Sequence, residues 1–396
     1  MSAAPPNFEG YHFMFRADDL LWADFETGSA VDLKAAGTVR YASDASTRAI
    51  ALAYATGGAT AHTWHADGAI LDWDNAPDDL RDAVARGAII AAWNASFDSA
   101  VWNYATLGFP FLAPERVIDP MIQAAVSNLP TDLQSASRYL NGAGKQADGK
   151  KLIKLFSAES ASPSEHPAEW ESFLAYARQD VEVMRTVFRQ TRPLPREEWE
   201  QYWAFEHVNR RGVAVDVPFI LRAAVLAAED AVAINRRLVE LTDGAVSTVG
   251  QAQRIASWLH DQLPAAMRQV LICGVADEDD GEDEDEAESH ELSLTRERVE
   301  RLLAMLDVKR ANGGLSNGEA VAREVATLRL YGAGASPKKF ARLAGQQVDG
   351  VLRDQYRFAG AGQTGRASGR GVNSKFGARR SRRGWRARGR ARRHDR

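Results

Sequence analysis

Two carboxylates one residue apart stand near the N-terminus, at the end of an apolar segment. The segment Trp22-Ala23-Asp24-Phe25-Glu26-Thr27-Gly28 follows two leucines and stops at a glycine, as a β-strand does. Side chains i and i+2 of a strand point to the same face, so Asp24 and Glu26 are predicted to lie side by side. Adjacent carboxylates repel unless a cation sits between them, and Mg²⁺ or Mn²⁺ prefers oxygen ligands. A solvated acidic strand end is the alternative interpretation.

Further carboxylates follow at two places where local structure can bring them to the same site. The run from Ala88 to Trp93 is typical of a buried strand, and Asn94 and Asp98 stand where it passes into a helix. Tyr176 and Asp180 lie four residues apart in a long helical pattern and so share a helix face. Taken singly, these residues also fit helix capping, a solvated acid and a core tyrosine.

The elements around these residues predict an α/β layer with a mixed sheet. Strands are predicted up to Gly28 and at 48–54, 61–65, 88–93 and 117–119. Helices are predicted from 98 onward and at 78–86, 121–127, 132–140, 151–156 and 169–189. Pro193-Leu194-Pro195 breaks this pattern, and 197–211 and 217–242 are helical again. We therefore predict a first domain at 1–192 and a mainly helical region at 193–373.

Charge is distributed unevenly along the chain. Most residues of 277–291 are acidic, and a like-charge block of this length is predicted to be a disordered insert. The segment from Lys375 to Arg396 holds 11 basic residues and one acid, although the formal net charge of the chain is −4. An acidic body is thus followed by a basic tail at 374–396.

Composition indicates a soluble protein in a reducing setting. The chain has 396 residues, of which 45% are hydrophobic and 26% are charged, and this suffices for two or three domains. The single cysteine, Cys273, excludes an internal disulfide and a cysteine-based zinc site. Neither a secretory leader nor an apolar run near 18 residues is found. We expect a cytoplasmic protein, in a bacterial host cell, without membrane contact.

In their order and local settings, Asp24, Glu26, Asp98 and Asp180 resemble the acids of DEDD exonucleases, and Tyr176 marks the tyrosine subtype. The resemblance implies a ribonuclease H-like fold, two divalent metal ions (Mg²⁺ or Mn²⁺) and 3′–5′ hydrolysis. Asp24 would bridge the metals, Glu26 and Asp180 would complete the site of the attacking water, and Asp98 would serve the second metal. Tyr176 would orient that water.

Thr27 and Asn94 would, by the same resemblance, lie near the terminal nucleotide of the substrate. Their positions follow the acidic strand end and open the Asn-x-x-Phe-Asp segment, respectively. Both are therefore expected as substrate-binding residues, together with basic residues further along the chain.

Segments after Arg192 resemble a bacteriophage-type family A DNA polymerase. They are Asn209-Arg210-Arg211-Gly212-Val213-Ala214-Val215-Asp216, Ala335-Ser336-Pro337-Lys338-Lys339, Asp349-Gly350-Val351-Leu352-Arg353 and Gln363-Thr364-Gly365-Arg366. In that family such segments build the thumb and the entrance to the palm. The resemblance implies that Lys338, Lys339, Arg353 and Arg366 meet DNA phosphates. A solvated surface is the alternative for the two lysines.

The family pattern breaks off after Gly371-Val372-Asn373, since no palm or fingers motif follows. One account of the tail is an Arg-rich arm that binds nucleic acid. The account we favour is out-of-frame translation of a GC-rich gene, which gives a truncated polymerase without polymerase activity. Reading the next frame after codon 373 would reveal the palm motifs in that case.

The sequence thus predicts the proofreading 3′–5′ exonuclease part of a family A DNA polymerase, acting in DNA replication. Expected partners are single-stranded DNA 3′ ends, primer-template DNA and a separate polymerase chain or replication proteins. An RNA-processing DEDD exonuclease is one alternative, although the Thr364-Gly365-Arg366 segment favours the polymerase. A non-catalytic DNA-binding remnant is the other.

Overall fold

The computed structural model describes residues 14–140, 149–159, 161–272, 292–362 and 364–370. The chain forms two compact units. Met1–Val215 and Gly345–Arg396 make up the first, here called the sheet unit, and Asp216–Ala344 makes up the second, the helical unit. The predicted insert at 277–291 and the predicted tail at 374–396 lie outside the described residues.

A five-stranded mixed sheet forms the centre of the sheet unit. Its spatial order is β3-β2-β1-β4-β5, with β1 antiparallel to β2 and parallel to β4. β3 is antiparallel to β2, and β5 is parallel to β4. The strands are β1 (Leu20–Gly28), β2 (Arg48–Thr56), β3 (His62–His65), β4 (Ile89–Ala91) and β5 (Val117–Ile118). The predicted mixed sheet is confirmed.

Helices flank this sheet. They are α1 (Leu33–Ala36), α2 (Thr38–Ala42), α3 (Asp78–Ala85), α4 (Ser96–Tyr104), α5 (Pro120–Val126), α6 (Leu133–Tyr139), α7 (Gly149–Ile153), α8 (Pro167–Gln190) and α9 (Arg196–Arg211). A π-helical turn, Lys154–Ala158, continues α7, where one uninterrupted helix is predicted. Two small ribbons complete the unit: β6 (Val213–Ala214) pairs with β7 (Val351–Leu352), and β8 (Tyr356–Ala361) pairs with β9 (Arg366–Gly369).

Two hydrophobic cores lie on opposite faces of the sheet. Trp22 belongs to the core that includes Val181 and Phe188 of α8, whereas Phe25 belongs to the core that includes Trp102 of α4. This division follows from the alternation of β1, which sends successive side chains to opposite faces. The sheet is therefore covered by α8 on one face and by α4 on the other.

The boundary between the two compact units does not lie after Arg192, where the sequence predicts it. The first unit continues to Val215 and resumes at Gly345. Helix α9 belongs to the sheet unit because its aromatic residues Trp199 and Tyr202 are buried in the same core as Trp22. The segment after Gly345 returns to this unit, where β7 pairs with β6. Pro193-Leu194-Pro195 is thus a break between two helices of one unit.

The helical unit is built around its own core. Its helices are α10 (Val217–Leu241), α11 (Ala252–Gln262), α12 (Ala265–Arg268), α13 (Arg296–Gly313), α14 (Asn317–Gly332) and α15 (Ala335–Gln346), the last of which runs two residues past the end of the unit. Leu238, Leu259, Leu302 and Val325 of four of these helices meet in that core. Among the described residues, no helix has the length and apolar character that a bilayer crossing requires.

Candidate active site at the end of strand β1

Strand β1 presents Asp24 and Glu26 on the face that α8 covers. Trp22 shares this face by the two-residue period, and its ring meets Phe188 of α8 edge to face, with centroids 5.4 Å apart. Glu26 is buried and Asp24 is partly buried. The side-by-side placement predicted from the sequence follows from this strand register.

Small residues lie beside the two acids on the neighbouring strand. In the antiparallel register, Asp24 is opposite Ala53 and Glu26 is opposite Ala51. Directly opposite side chains on one face of a sheet are nearest neighbours, so alanine at these positions leaves room above the sheet. Helix α8 packs on β1 and β2 over this face of the sheet.

Asp98 reaches the same strand from α4. Its Oδ1 accepts a hydrogen bond of 3.0 Å from the backbone amide of Phe25, the residue between Asp24 and Glu26. Strand β4 pairs with β1 only as far as Ala91 opposite Trp22, so the edge of β1 beyond that point is left to a side chain. Asp98 thus joins the two acids across 73 residues of sequence. We call Asp24, Glu26 and Asp98 the acidic strand end.

Burial changes the acidity of Asp98. Loss of solvent raises the pKa of this carboxyl from 3.8 to about 7, although the amides of Phe25 and of Asp98 itself favour the ionised form. The negative charge of Asp119 raises the pKa further. A positive charge placed beside Asp98 would lower the pKa and ionise the group at neutral pH.

Asp180 and Tyr176 are buried one turn apart on α8. Ala177 and Val181, next to them along the helix, pack in the core that contains Trp22, so this part of α8 faces β1. The Tyr176 ring, only 2% exposed, lies against the backbone of Gly149 at the start of α7, where an added Cβ would overlap it. The predicted water-orienting phenol is therefore covered in this conformation.

The donors suit a hard divalent cation, but their arrangement does not form a closed cage. Carboxylate oxygens are the ligands that Mg²⁺ and Mn²⁺ prefer. Within the described residues, no three His, Cys, Asp or Glu side chains are grouped so that they could hold a metal ion. Mg²⁺ is commonly held by one or two carboxylates, with waters and substrate phosphates completing the shell. The acidic strand end fits such an incomplete protein shell.

Thr27 stands at an irregular point of the strand. The β1–β2 register shifts between Glu26 and Thr27, and the Thr27 hydroxyl shares a 2.8 Å hydrogen bond with the hydroxyl of Tyr41. Burial raises the pKa of Tyr41, and the charge of Glu26 adds to this effect. Thr27 is thus fixed beside the acids, whereas its expected contact with a nucleotide stays a prediction.

Asn94 is held by an acid that the sequence interpretation did not use. The backbone of Asn94 has a φ of 61°, and its backbone N–H donates to Asp119 Oδ1 at 3.0 Å. Asp119 also accepts from the amides of Ala95 and Met121, so one carboxylate shapes the turn into α4 and caps α5. The signal for this role was an aspartate directly before a proline, which is an N-cap followed by a favoured first helical residue.

The four basic residues expected at DNA are divided between the two units. Lys338 and Lys339 lie on α15 within the helical unit, where Lys338 is exposed. Arg353 belongs to the sheet unit and donates to the carbonyls of Arg210 at 3.0 Å and Val348 at 3.3 Å. Arg366 is exposed at the start of β9.

Comparison with known proteins gives little further assignment. No family model matches the chain, and no curated protein is similar to it at a significant level. Among solved structures, it is similar to the POL domain of Pol1 from M. smegmatis in complex with DNA primer-template and dNTP, with a TM-score of 0.40 and 13% identity. The match covers 87% of this chain and 50% of that one, so the chain spans about half its length. A likeness at this level assigns neither a fold family nor an activity.

Proposed function

We propose that the sheet unit is a metal-dependent 3′–5′ exonuclease of ribonuclease H-like type that acts on DNA. The observation that carries this proposal is the bond from the Phe25 amide to Asp98, because it sets a third carboxylate against the strand that presents Asp24 and Glu26. A buried acid such as Asp98 beside a strand that carries two more acids is rarely needed for stability, since the charges repel.

The residues divide the work according to their elements. Asp24 and Glu26 would hold divalent cations from the strand, with Asp180 contributing from α8 and Asp98 from α4. Bound divalent ions would supply a water of lowered pKa and neutralise charge on the phosphate oxygens. Tyr176 orients the attacking water through its hydroxyl once the cover formed by Gly149 moves aside. Thr27 and Asn94 seat the terminal nucleotide.

The test is release of a labelled 3′ nucleotide from single-stranded DNA in Mg²⁺ or Mn²⁺. Asp24→Asn should lower the rate by about 10²–10³-fold, the usual loss when one electrostatic stabiliser is removed. Glu169→Gln is the matched control, because it neutralises an exposed acid in the first turn of α8. Equal rates for Asp24→Asn and the control would contradict the proposal. Offering RNA ends in parallel distinguishes a DNA enzyme from an RNA-processing one.

A second candidate, DNA binding without catalysis, is favoured by two observations. Tyr176 is covered, and the described acids form no group of three at metal distance. In that case the unaltered protein binds DNA with no metal-dependent release of nucleotides over many hours. Binding together with release, abolished by EDTA, would exclude it.

Basic residues supply the DNA affinity in either case, and the helical unit acts as a thumb-like clamp on primer-template DNA. Phosphate contacts depend on salt, and each one lost reduces the slope of log affinity against log salt by about 1. Replacing Lys338 and Lys339 together by alanine should therefore reduce the slope by about 2. An unchanged slope would place the phosphate contacts elsewhere on the protein.

A further inference from the structure

A cavity of about 420 Å³ opens beside α9, and all the residues that line it belong to the sheet unit. Its walls come from α2, α4, the loop 111–114, α9 and the pair Arg353 and Asp354. This volume lies within the range of about 300–1,000 Å³ that is common for pockets of small ligands. We call it the α9 cavity.

A buried acceptor faces the α9 cavity. Glu206 is 8% exposed, and Asn209 Nδ2 donates to its Oε1 at 3.1 Å. Asn209 is itself fixed, because it also bonds the carbonyl and the amide of Tyr356. Among the described residues, Glu206 has no other hydrogen-bond partner, so its second oxygen can accept from a ligand in the cavity.

Three arginines line the same cavity: Arg210, Arg211 and Arg353. Arg210 donates to the carbonyl of Leu112, and Arg353 donates to two carbonyls, while Arg211 is exposed. A guanidinium has five N–H donors in a planar fork, so each arginine keeps donors beyond these bonds. Planar forks of this kind recognise phosphate oxygens in pairs.

Two aromatic rings complete the lining. Tyr104 is 52% exposed and Phe111 is 76% exposed. Rings with this much exposure contribute little to the core and offer faces on which a planar ligand can stack. Stacking of a nucleobase on an aromatic ring is worth about 1–3 kcal/mol.

We propose that the α9 cavity binds a nucleotide whose base carries an exocyclic amino group, either free or at an unpaired position of a single strand. The base stacks on Phe111, the more exposed of the two rings, its amino group donates to Glu206, and its phosphate meets Arg210, Arg211 or Arg353. This site is separate in residues from the acidic strand end, and binding there requires neither a metal nor hydrolysis.

The experiment measures binding to the full chain in EDTA by calorimetry. The ligands are dAMP, the matching purine nucleotide without the 6-amino group, and a short oligo(dA). We expect dAMP to bind at least about 10-fold more tightly than the analogue, because the analogue leaves a buried acceptor unpaired. A preference for oligo(dA) over dAMP would identify a strand as the natural source, and the reverse would identify a free nucleotide. No binding of either at millimolar concentration overturns the proposal.

Variants locate the site. Phe111→Ala changes an exposed side chain and should weaken dAMP binding about 10-fold without loss of folding. Glu206→Gln should reduce the preference for the amino group, and Glu200→Gln, an exposed acid on the same helix, is its control. Binding that is unchanged in Phe111→Ala but lost in Asp24→Asn would assign the nucleotide to the acidic strand end and overturn the proposal. Nuclease activity is read separately, so either proposal can fail alone.

Discussion

The sheet unit buries carboxylates in two places and surrounds them differently. At the acidic strand end, Asp98 accepts a backbone amide, and the charge of another acid, Asp119, acts against its ionisation. In the α9 cavity, burial and the charge of Asp354 raise the pKa of Glu206, although Asn209 and Arg210 favour its ionised form, and Asp354 is itself bonded to Arg370 at 3.1 Å. The first arrangement gains stability from an added cation, whereas the second already has arginines beside its acids and suits a ligand with both donors and acceptors.

Of the variants considered, Asp98→Asn should have the largest effect on the pH dependence of the free energy of unfolding. Because the pKa of Asp98 is about 7 in the folded chain and 3.8 ordinarily, the folded state binds more protons, and the free energy of unfolding falls as pH rises from about 4 to 7. At about 1.4 kcal/mol per pKa unit, this fall is about 4 kcal/mol. Asparagine keeps an acceptor for Phe25 without ionising, so urea unfolding in EDTA should lose most of this pH dependence.

The control for this measurement is Asp67→Asn, which changes an exposed aspartate of the same unit. An unaltered pH slope in Asp98→Asn would show that Asp98 is ionised at low pH in the folded chain. The contrast between the two regions would then disappear.

Glu206→Gln should also remove part of the fall in the free energy of unfolding with rising pH, but a smaller part than Asp98→Asn. Burial raises the pKa of Glu206 from 4.5 to about 7, so its contribution to the free energy of unfolding falls between these pH values by about 3 kcal/mol. Urea titrations at pH 4.5 and pH 8 measure the difference. If Glu206→Gln changed the pH dependence more than Asp98→Asn does, the α9 cavity and not the acidic strand end would contribute most of it.

Arg370→Met should destabilise the cavity region by about 1–3 kcal/mol, because it removes the ion-pair partner of the buried Asp354 and leaves it the hydrogen bond with Thr38. Adding Asp354→Asn to this variant should restore part of the loss, and a double-mutant cycle gives the coupling energy. Additive effects would mean that the pair is not the source of the charge balance.

Tyr41→Phe should give the smallest effect, about 1 kcal/mol, since it removes one hydrogen bond and leaves the Thr27 hydroxyl without that partner. Thermal unfolding at pH 7 measures it. A loss above about 3 kcal/mol would indicate that Thr27 and Tyr41 support the whole strand end.

Local patterns predicted most of the elements of the sheet unit. The strand that ends at Gly28 and the helix containing Tyr176 and Asp180 lie where alternation and helical spacing placed them. The resemblance to DEDD exonucleases implied that Asp98 would share a site with Asp24, and Asp98 does contact the backbone of β1 at the next residue, Phe25.

Contacts between distant segments could not be predicted in this way. The amphipathic pattern of α9 shows that Trp199 and Tyr202 are buried, but not which core receives them. The contact of Gly149 with the Tyr176 ring and the hydrogen bond from Arg370 to Ser96 both depend on how distant segments pack. The local sequence around Gly149 and around Arg370 gives no sign of these contacts.

Because β4 ends early, the amide proton of Phe25 reports on the position of Asp98. The amide of Phe25 is held by a carboxylate, whereas the neighbouring amides of β1 are held by another strand. Its hydrogen–deuterium exchange therefore follows the release of Asp98, and exchange at its neighbours follows opening of the sheet. The NMR resonance of this one amide, observed without substrate, would report how often Asp98 releases the backbone beside Asp24 and Glu26.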